Sequence, residues 1–98
     1  MICVTATIRI RAGRADEAAE LFRSIVEAVG EEERTSAYIV SRSRDDDHLF
    51  TVFEQYPDDE AVAAHRAGRA FTEVQAPLRD LLDGRPEVIT ASLVASAR

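Results

Sequence analysis

Apolar and polar side chains alternate from the start of the chain: Ile2, Val4, Ala6, Ile8 and Ile10 share one side of an extended segment, and Cys3, Thr5, Thr7, Arg9 and Arg11 share the other. This period of two predicts a half-buried strand over residues 2–11, closed by Gly13. From Arg14 the period changes. Ala18, Leu21, Phe22, Ile25, Val26 and Val29 recur at three- and four-residue spacings, with Asp16 and Glu17 where the first turn of a helix favours negative charge. An amphipathic helix is therefore predicted to end near Gly30, with the acidic run Glu31, Glu32, Glu33 as its solvated end. Two segments rich in Tyr, Ile, Val, Thr and Phe, residues 36–44 and 49–56, flank Asp45-Asp46-Asp47-His48 and predict a hairpin around that turn. Beyond Pro57, Asp58 can cap a helix over residues 59–67 that carries Ala61, Val62 and His65 on one face. Gly68 interrupts it, and Phe71, Val74, Leu78, Leu81 and Leu82 form a further apolar stripe that Pro77 is placed to kink or split. After Gly84 and Pro86, residues 87–95 read as a last strand through Val88, Ile89, Leu93 and Val94.

The order βαββαβ predicts an α+β, ferredoxin-like fold, in which a four-stranded antiparallel sheet carries both helices on one face. The strands are apolar on both sides: Tyr38 and Val40 alternate with Ala37 and Ile39, and Phe50 and Val52 alternate with Leu49 and Phe53. A sheet face left bare by the helices then needs cover, and a homodimer joined through the sheet face is expected.

Composition narrows the function. At 98 residues, 46% hydrophobic and 31% charged, the chain is expected to form a single domain over residues 1–98 with a thin core. Its net charge of -6 disfavours nucleic acid and anionic membrane surfaces as partners. The alternating first ten residues have neither the charged nor the continuous apolar region of a signal peptide, no run approaches a membrane span, and a cytoplasmic location is expected. The single cysteine, Cys3, excludes an internal disulfide and reads as a packing residue. Three adjacent aspartates lack the alternating spacing, the glycine and the distal glutamate of a calcium loop, so no metal site is expected there, and His48 reads as solvated.

The chemistry concentrates between Glu54 and Phe71. Glu54 shares a strand face with Phe50, Val52 and Tyr56, and His65 follows on the next helix, so two titratable groups converge on an apolar interior. Histidine, with an ordinary pKa of about 6.5, is the side chain best suited to general-base work near neutrality. His65 is the first candidate for that role, with Glu54 as its orienting partner or as the base, and Tyr56 as a donor to a substrate oxygen. Each also has a purely structural reading: His65 as a hydrogen-bonded core residue, Glu54 as a partner of the helix start or of an arginine, Tyr56 and Tyr38 as packing residues. Arg9, Arg11, Arg42 and Arg44 on the strands read as partners of surface carboxylates.

The opening strand with Gly13, the segment from Thr35 to Arg44 with Tyr38, and the series Glu54, Tyr56, Ala61, His65 and Phe71 resemble the antibiotic biosynthesis monooxygenase family of the dimeric α/β barrel superfamily, over essentially the whole chain. The resemblance implies a cofactor-independent monooxygenase that oxidises an electron-rich aromatic or quinol substrate with O₂. It makes His65, Glu54 and Tyr56 the candidate catalytic residues and Tyr38, Phe50, Phe71 and Phe22 the candidate substrate-binding residues. Two departures stand out. Many members carry Gly and Cys shortly before the second strand, where this chain has Arg34-Thr35-Ser36-Ala37, and the Asn, Trp and His set of haem-degrading members is missing from a chain without asparagine or tryptophan. A non-oxidative isomerase or lyase acting on a small carbonyl metabolite, and a dimeric ligand-binding module without turnover, remain open as alternatives.

Overall fold

In the computed structural model, which describes residues 1–98, β1 (Ile2–Arg9), α1 (Ala15–Val29), β2 (Ala37–Arg42), β3 (Leu49–Tyr56), α2 (Asp59–Ala67) and β4 (Glu87–Ser92) follow one another in the expected order. All neighbouring strands are antiparallel and the sheet order is β2-β3-β1-β4, the ferredoxin-like arrangement. Alternation in β1 and β3 sends Val4, Ala6 and Ile8 to the same face as Phe50, Val52 and Tyr56, with Ala6 opposite Val52 and Ile8 opposite Phe50. The helical layer covers that face. Ala18, Phe22, Ile25 and Val29 of α1 are buried in it, and the Phe22 and Phe50 rings meet at 5.0 Å between centroids. Val26, assigned by its spacing to the same stripe, lies on the helix flank and stays partly exposed.

Local chemistry sets the element ends. Gly13 adopts a φ of 80°, a left-handed conformation that glycine enters without strain, and its N–H donates to His48 Nε2 at 3.2 Å. His48, expected from its place in the turn to be solvated, instead ties the β2–β3 turn to the β1–α1 turn. The hairpin turn is closed by Ser43 Oγ, which accepts the N–H groups of Asp45 and Asp46, each at 3.2 Å. Asp58 caps α2 by accepting the Ala61 N–H at 2.9 Å.

Past Gly68 the apolar stripe does not form one helix. A π turn over Ala70–Val74, closed by the Gln75 N–H on the Ala70 carbonyl at 3.0 Å, gives way to a 3₁₀ segment over Ala76–Leu81. Pro77 lacks an N–H and disfavours the α conformation at the residue before it, so the chain changes pitch there. Leu82 then bridges to Ile10, just past the end of β1 at Arg9, and β4 stops at Ser92, short of the predicted residue 95. No helix is long and apolar enough to cross a membrane.

The other sheet face is bare. Ile39, Phe53, Thr5 and Ile89 stand side by side across all four strands, with Ile39 54% and Ile89 66% exposed.

Two outcomes follow from this packing. Phe50 is 2% exposed and central to the core, so Phe50→Ala is expected to cost about 3–5 kcal/mol in a urea titration, with an unchanged slope if the native contacts are otherwise kept. The carboxyl of Asp46 is held below its ordinary range chiefly by the hydrogen bond from Arg9, and that of Asp58 chiefly by the Ala61 N–H. Depressed carboxyl pKa values contribute stability that is complete above the unfolded value of about 3.9 and is lost as the pH falls through the folded value. Urea midpoints should therefore drop below about pH 4, and the drop should be shallower in D46N/D58N.

Candidate functional site

Between the sheet and the helical layer lies a cavity of about 380 Å³. Its floor is Val4, Ala6 and Ile8 of β1, and Phe22 and Phe71 close it from the helical side. Its volume is within the range of about 300–1,000 Å³ typical of small-molecule sites. Along β3 the floor changes from apolar to polar: Val52, Glu54 and Tyr56, at successive inward positions, all line the cavity.

His65 faces this polar end. Only 6% exposed, it is the one buried residue that is not apolar or tyrosine. Its position follows from α2, where Ala61 and His65, four apart, share the inward face. The Nδ1 atom is 2.7 Å from Glu32 Oε1, and Thr35 Oγ1 donates to that same carboxylate oxygen at 2.8 Å. A carboxylate only accepts, so Nδ1 carries the proton, and in the neutral ring Nε2 holds the lone pair. Nε2 lies 3.8 Å from Glu54 Oε1, beyond hydrogen-bond length, and the Tyr56 hydroxyl donates to that Glu54 oxygen. Tyr56, Tyr38 and Phe71 surround the imidazole, with ring centroids 5.6, 5.7 and 5.8 Å away. No buried side-chain polar atom lacks a partner.

Glu32 reaches His65 because the chain after α1 folds back across α2. Arg34 bonds Asp58 at 2.7 Å, which fastens the loop to the start of α2. At the other end of α2, Gly68 permits the approach: a Cβ there would lie 3.3 Å from Glu32 Oε2 and 3.2 Å from the His65 carbonyl. Burial, followed by the hydrogen bond to Glu54, pushes the Tyr56 phenol far above its ordinary pKa, and burial, followed by the Glu54 charge, does the same to Tyr38. Both phenols are therefore protonated donors near neutrality. The Tyr56 proton is committed to Glu54, whereas Tyr38 lines the cavity without a hydrogen bond of its own to the protein.

The sequence candidates His65, Glu54 and Tyr56 thus meet, and Tyr38, Phe71 and Phe22 line the same cavity. Phe50 does not. It lies behind Phe22, under the Arg42 guanidinium at 5.4 Å, and borders a separate surface groove between α1 and β2. Its parity along β3 is that of Glu54, but it sits one strand-turn too far toward the apolar end. Glu32 is the residue the sequence reading passed over, assigned with Glu31 and Glu33 to a solvated helix end. Those two are exposed, while Glu32 turns inward with its side chain 19% exposed. No local pattern marks it, because its partner is 33 residues away. Asp46, Asp47 and His48 bring their donor atoms within 4.8 Å of one another. The same side chains have partners inside the protein: Arg9 pairs with Asp46 at 2.8 Å, His48 Nδ1 lies 2.8 Å from Asp47, and the Gly13 N–H bonds His48 Nε2 at 3.2 Å.

Comparison with known proteins agrees with this architecture. The family model of the antibiotic biosynthesis monooxygenases matches residues 1–77. A solved antibiotic biosynthesis monooxygenase is similar over 97% of this chain and 100% of its own, at 25% identity and a TM-score of 0.89. A protein of Pseudomonas aeruginosa is similar over 96% of this chain and 94% of its own, at 26% identity and a TM-score of 0.86. A protein of Nitrosomonas europaea, at 16% identity, shares the fold over 97% of this chain and 100% of its own with a TM-score of 0.91. No curated protein matches the chain. With its family match and its four-stranded antiparallel sheet under one helical layer, the chain belongs to the antibiotic biosynthesis monooxygenase family.

Proposed function

We propose that this protein is a cofactor-independent monooxygenase that oxidises an electron-rich aromatic or quinol substrate with O₂. The observation that carries this reading is a buried imidazole whose Nδ1 is held by Glu32 while its Nε2 lies 3.8 Å from Glu54 at the polar end of a largely apolar cavity. His65 Nε2 removes a phenolic or benzylic proton, and the Glu32 carboxylate stabilises the imidazolium so formed. Tyr38 donates to the oxygen on which the substrate's negative charge develops. The substrate anion passes one electron to O₂, the resulting radicals join in a carbon–oxygen bond, and the imidazolium returns its proton to give a hydroperoxide. Loss of water leaves a carbonyl, so one oxygen atom stays on the substrate and the other leaves as water. The apolar walls keep water from quenching the anion, and no metal, flavin or haem is required by this sequence of steps.

A second reading has its own support. Glu54 Oε1 and His65 Nε2, 3.8 Å apart, form a pair that can take a proton from one carbon and return it to another. That arrangement suits a non-oxidative isomerase or lyase acting on a small carbonyl metabolite. A ligand-binding module without turnover would use the same cavity without either proton transfer.

The bare sheet face bears on assembly. Ile39 and Ile89, both more than half exposed, flank Phe53 on that face, and we take it to be the interface of a homodimer.

Oxygen uptake by the metal-free and flavin-free protein, measured against anthrones, naphthoquinols and catechols, decides between the first two readings. Uptake above autoxidation that falls about 100-fold or more in His65→Ala is the expected result. Product formation without oxygen uptake would instead establish the isomerase or lyase reading. Glu32→Gln should lower kcat by about tenfold with KM nearly unchanged, and Glu32→Asp should recover part of the loss, because Glu32 acts on the imidazole and not on the substrate. In analytical ultracentrifugation the wild type should sediment as a dimer at micromolar concentration and I39K/I89K as a folded monomer. A monomeric wild type would remove the sheet-face interface.

A further inference from the structure

The acid–base group does not account for all the polar lining of the cavity. Arg66, in the last turn of α2, and Arg79, in the 3₁₀ segment, also line it, together with Gln75. The 12 basic residues of the chain are all arginine and face 18 carboxylates. Arg9, Arg14, Arg23, Arg34 and Arg42 each form an ion pair, and the two cavity arginines are not among them. A guanidinium free of a protein carboxylate beside an apolar cavity presents a planar set of donors matched to a carboxylate or a similar oxyanion.

The layout gives Arg79 a direction. Tyr56, at the acid–base end, pairs with Ile2 at the start of β1. Leu82, whose N–H bonds the Arg79 carbonyl at 3.3 Å, bridges to Ile10 beyond the end of that strand. Between them the floor runs through Val4, Ala6 and Ile8, about 13 Å at the usual rise of a strand. An anion is repelled from the first end by Glu54 and Glu32, and a net charge of -6 offers it no general attraction. It is stabilised only where the cavity carries cations.

We propose that the cavity selects an aromatic acid. Its fused ring lies over the apolar floor, its phenolic or benzylic proton faces His65, and its carboxylate or equivalent anion is held by Arg79, while Arg66, next to His65 on α2, adds a second positive charge to the cavity lining. This inference rests on reading the cavity as a substrate site, and it is tested without oxygen or turnover.

The probes are 2-naphthoate and the neutral 2-naphthamide, titrated calorimetrically into the full chain under anaerobic conditions. Naphthoate should bind at least about tenfold more tightly than the amide, with a preference that shrinks as salt is raised. The preference should vanish in R66Q/R79Q with amide affinity unchanged, and persist in R44Q/R98Q, which makes the same change of charge away from the cavity. Equal affinity of the two probes for the wild type, survival of the preference in R66Q/R79Q, or failure of both probes to bind would each overturn the proposal. Oxygen uptake without an anion preference would remove the aromatic acid alone. An anion preference without oxygen uptake would remove the oxygenase alone.

Discussion

The contact between His65 Nδ1 and Glu32 Oε1, 2.7 Å long under a 5%-exposed imidazole, is the constraint around which this small domain is arranged. A buried polar ring without a partner costs about 1–3 kcal/mol, and more if it becomes charged during a reaction. The partner comes from the loop after α1, which must therefore cross the helical layer and stay there. Thr35 bonds the Glu32 carboxylate, Arg34 anchors the loop on Asp58, and Gly68 leaves room for the approach. The Asp58 that receives Arg34 is also the cap of α2, so the helix start, the loop and the imidazole are parts of one hydrogen-bonded assembly.

The sheet supplies the second half of the site through strand parity. Phe50, Val52, Glu54 and Tyr56 occupy the inward positions of β3, so a single strand changes from a packed core to a polar pocket over seven residues. Phe50 belongs to the packed part with Phe22, while Glu54 and Tyr56 belong to the pocket. Tyr56 donates to Glu54, and the carboxylate stands near the imidazole without closing on it, so Nε2 makes no hydrogen bond to Glu54. Phe71, Gln75, Leu78 and Arg79 fall at the i, i+4, i+7, i+8 spacing of one helix face, and through the π turn and 3₁₀ segment after Gly68 all four still line the cavity.

The apolar residues on the open side of the sheet lie outside the core. Ile39, Phe53 and Ile89 add nothing to the internal core, and all of β4 is exposed in the single chain. A domain of this size buries a smaller share of its surface than a larger one, and association through such a face would supply the burial that its own core lacks.

The sequence by itself determined the order of elements, the inward faces of β1 and β3, the Asp58 cap, the end of α2 at Gly68 and the convergence of Glu54, Tyr56 and His65. Each of these is a local property, since periodicity reports which face a residue occupies and caps and glycines report where an element stops. Tertiary structure alone decided that Glu32 and not its neighbours would hold His65, that Phe71 would line the cavity while Phe50 filled the core behind it, and that His48 would bridge two turns. Parity along a strand does not encode depth, and an acidic run reads the same whether it meets water or an imidazole 33 residues further on. Those outcomes depend on which segments are packed across from one another, and that is settled only when the sheet and the helical layer close.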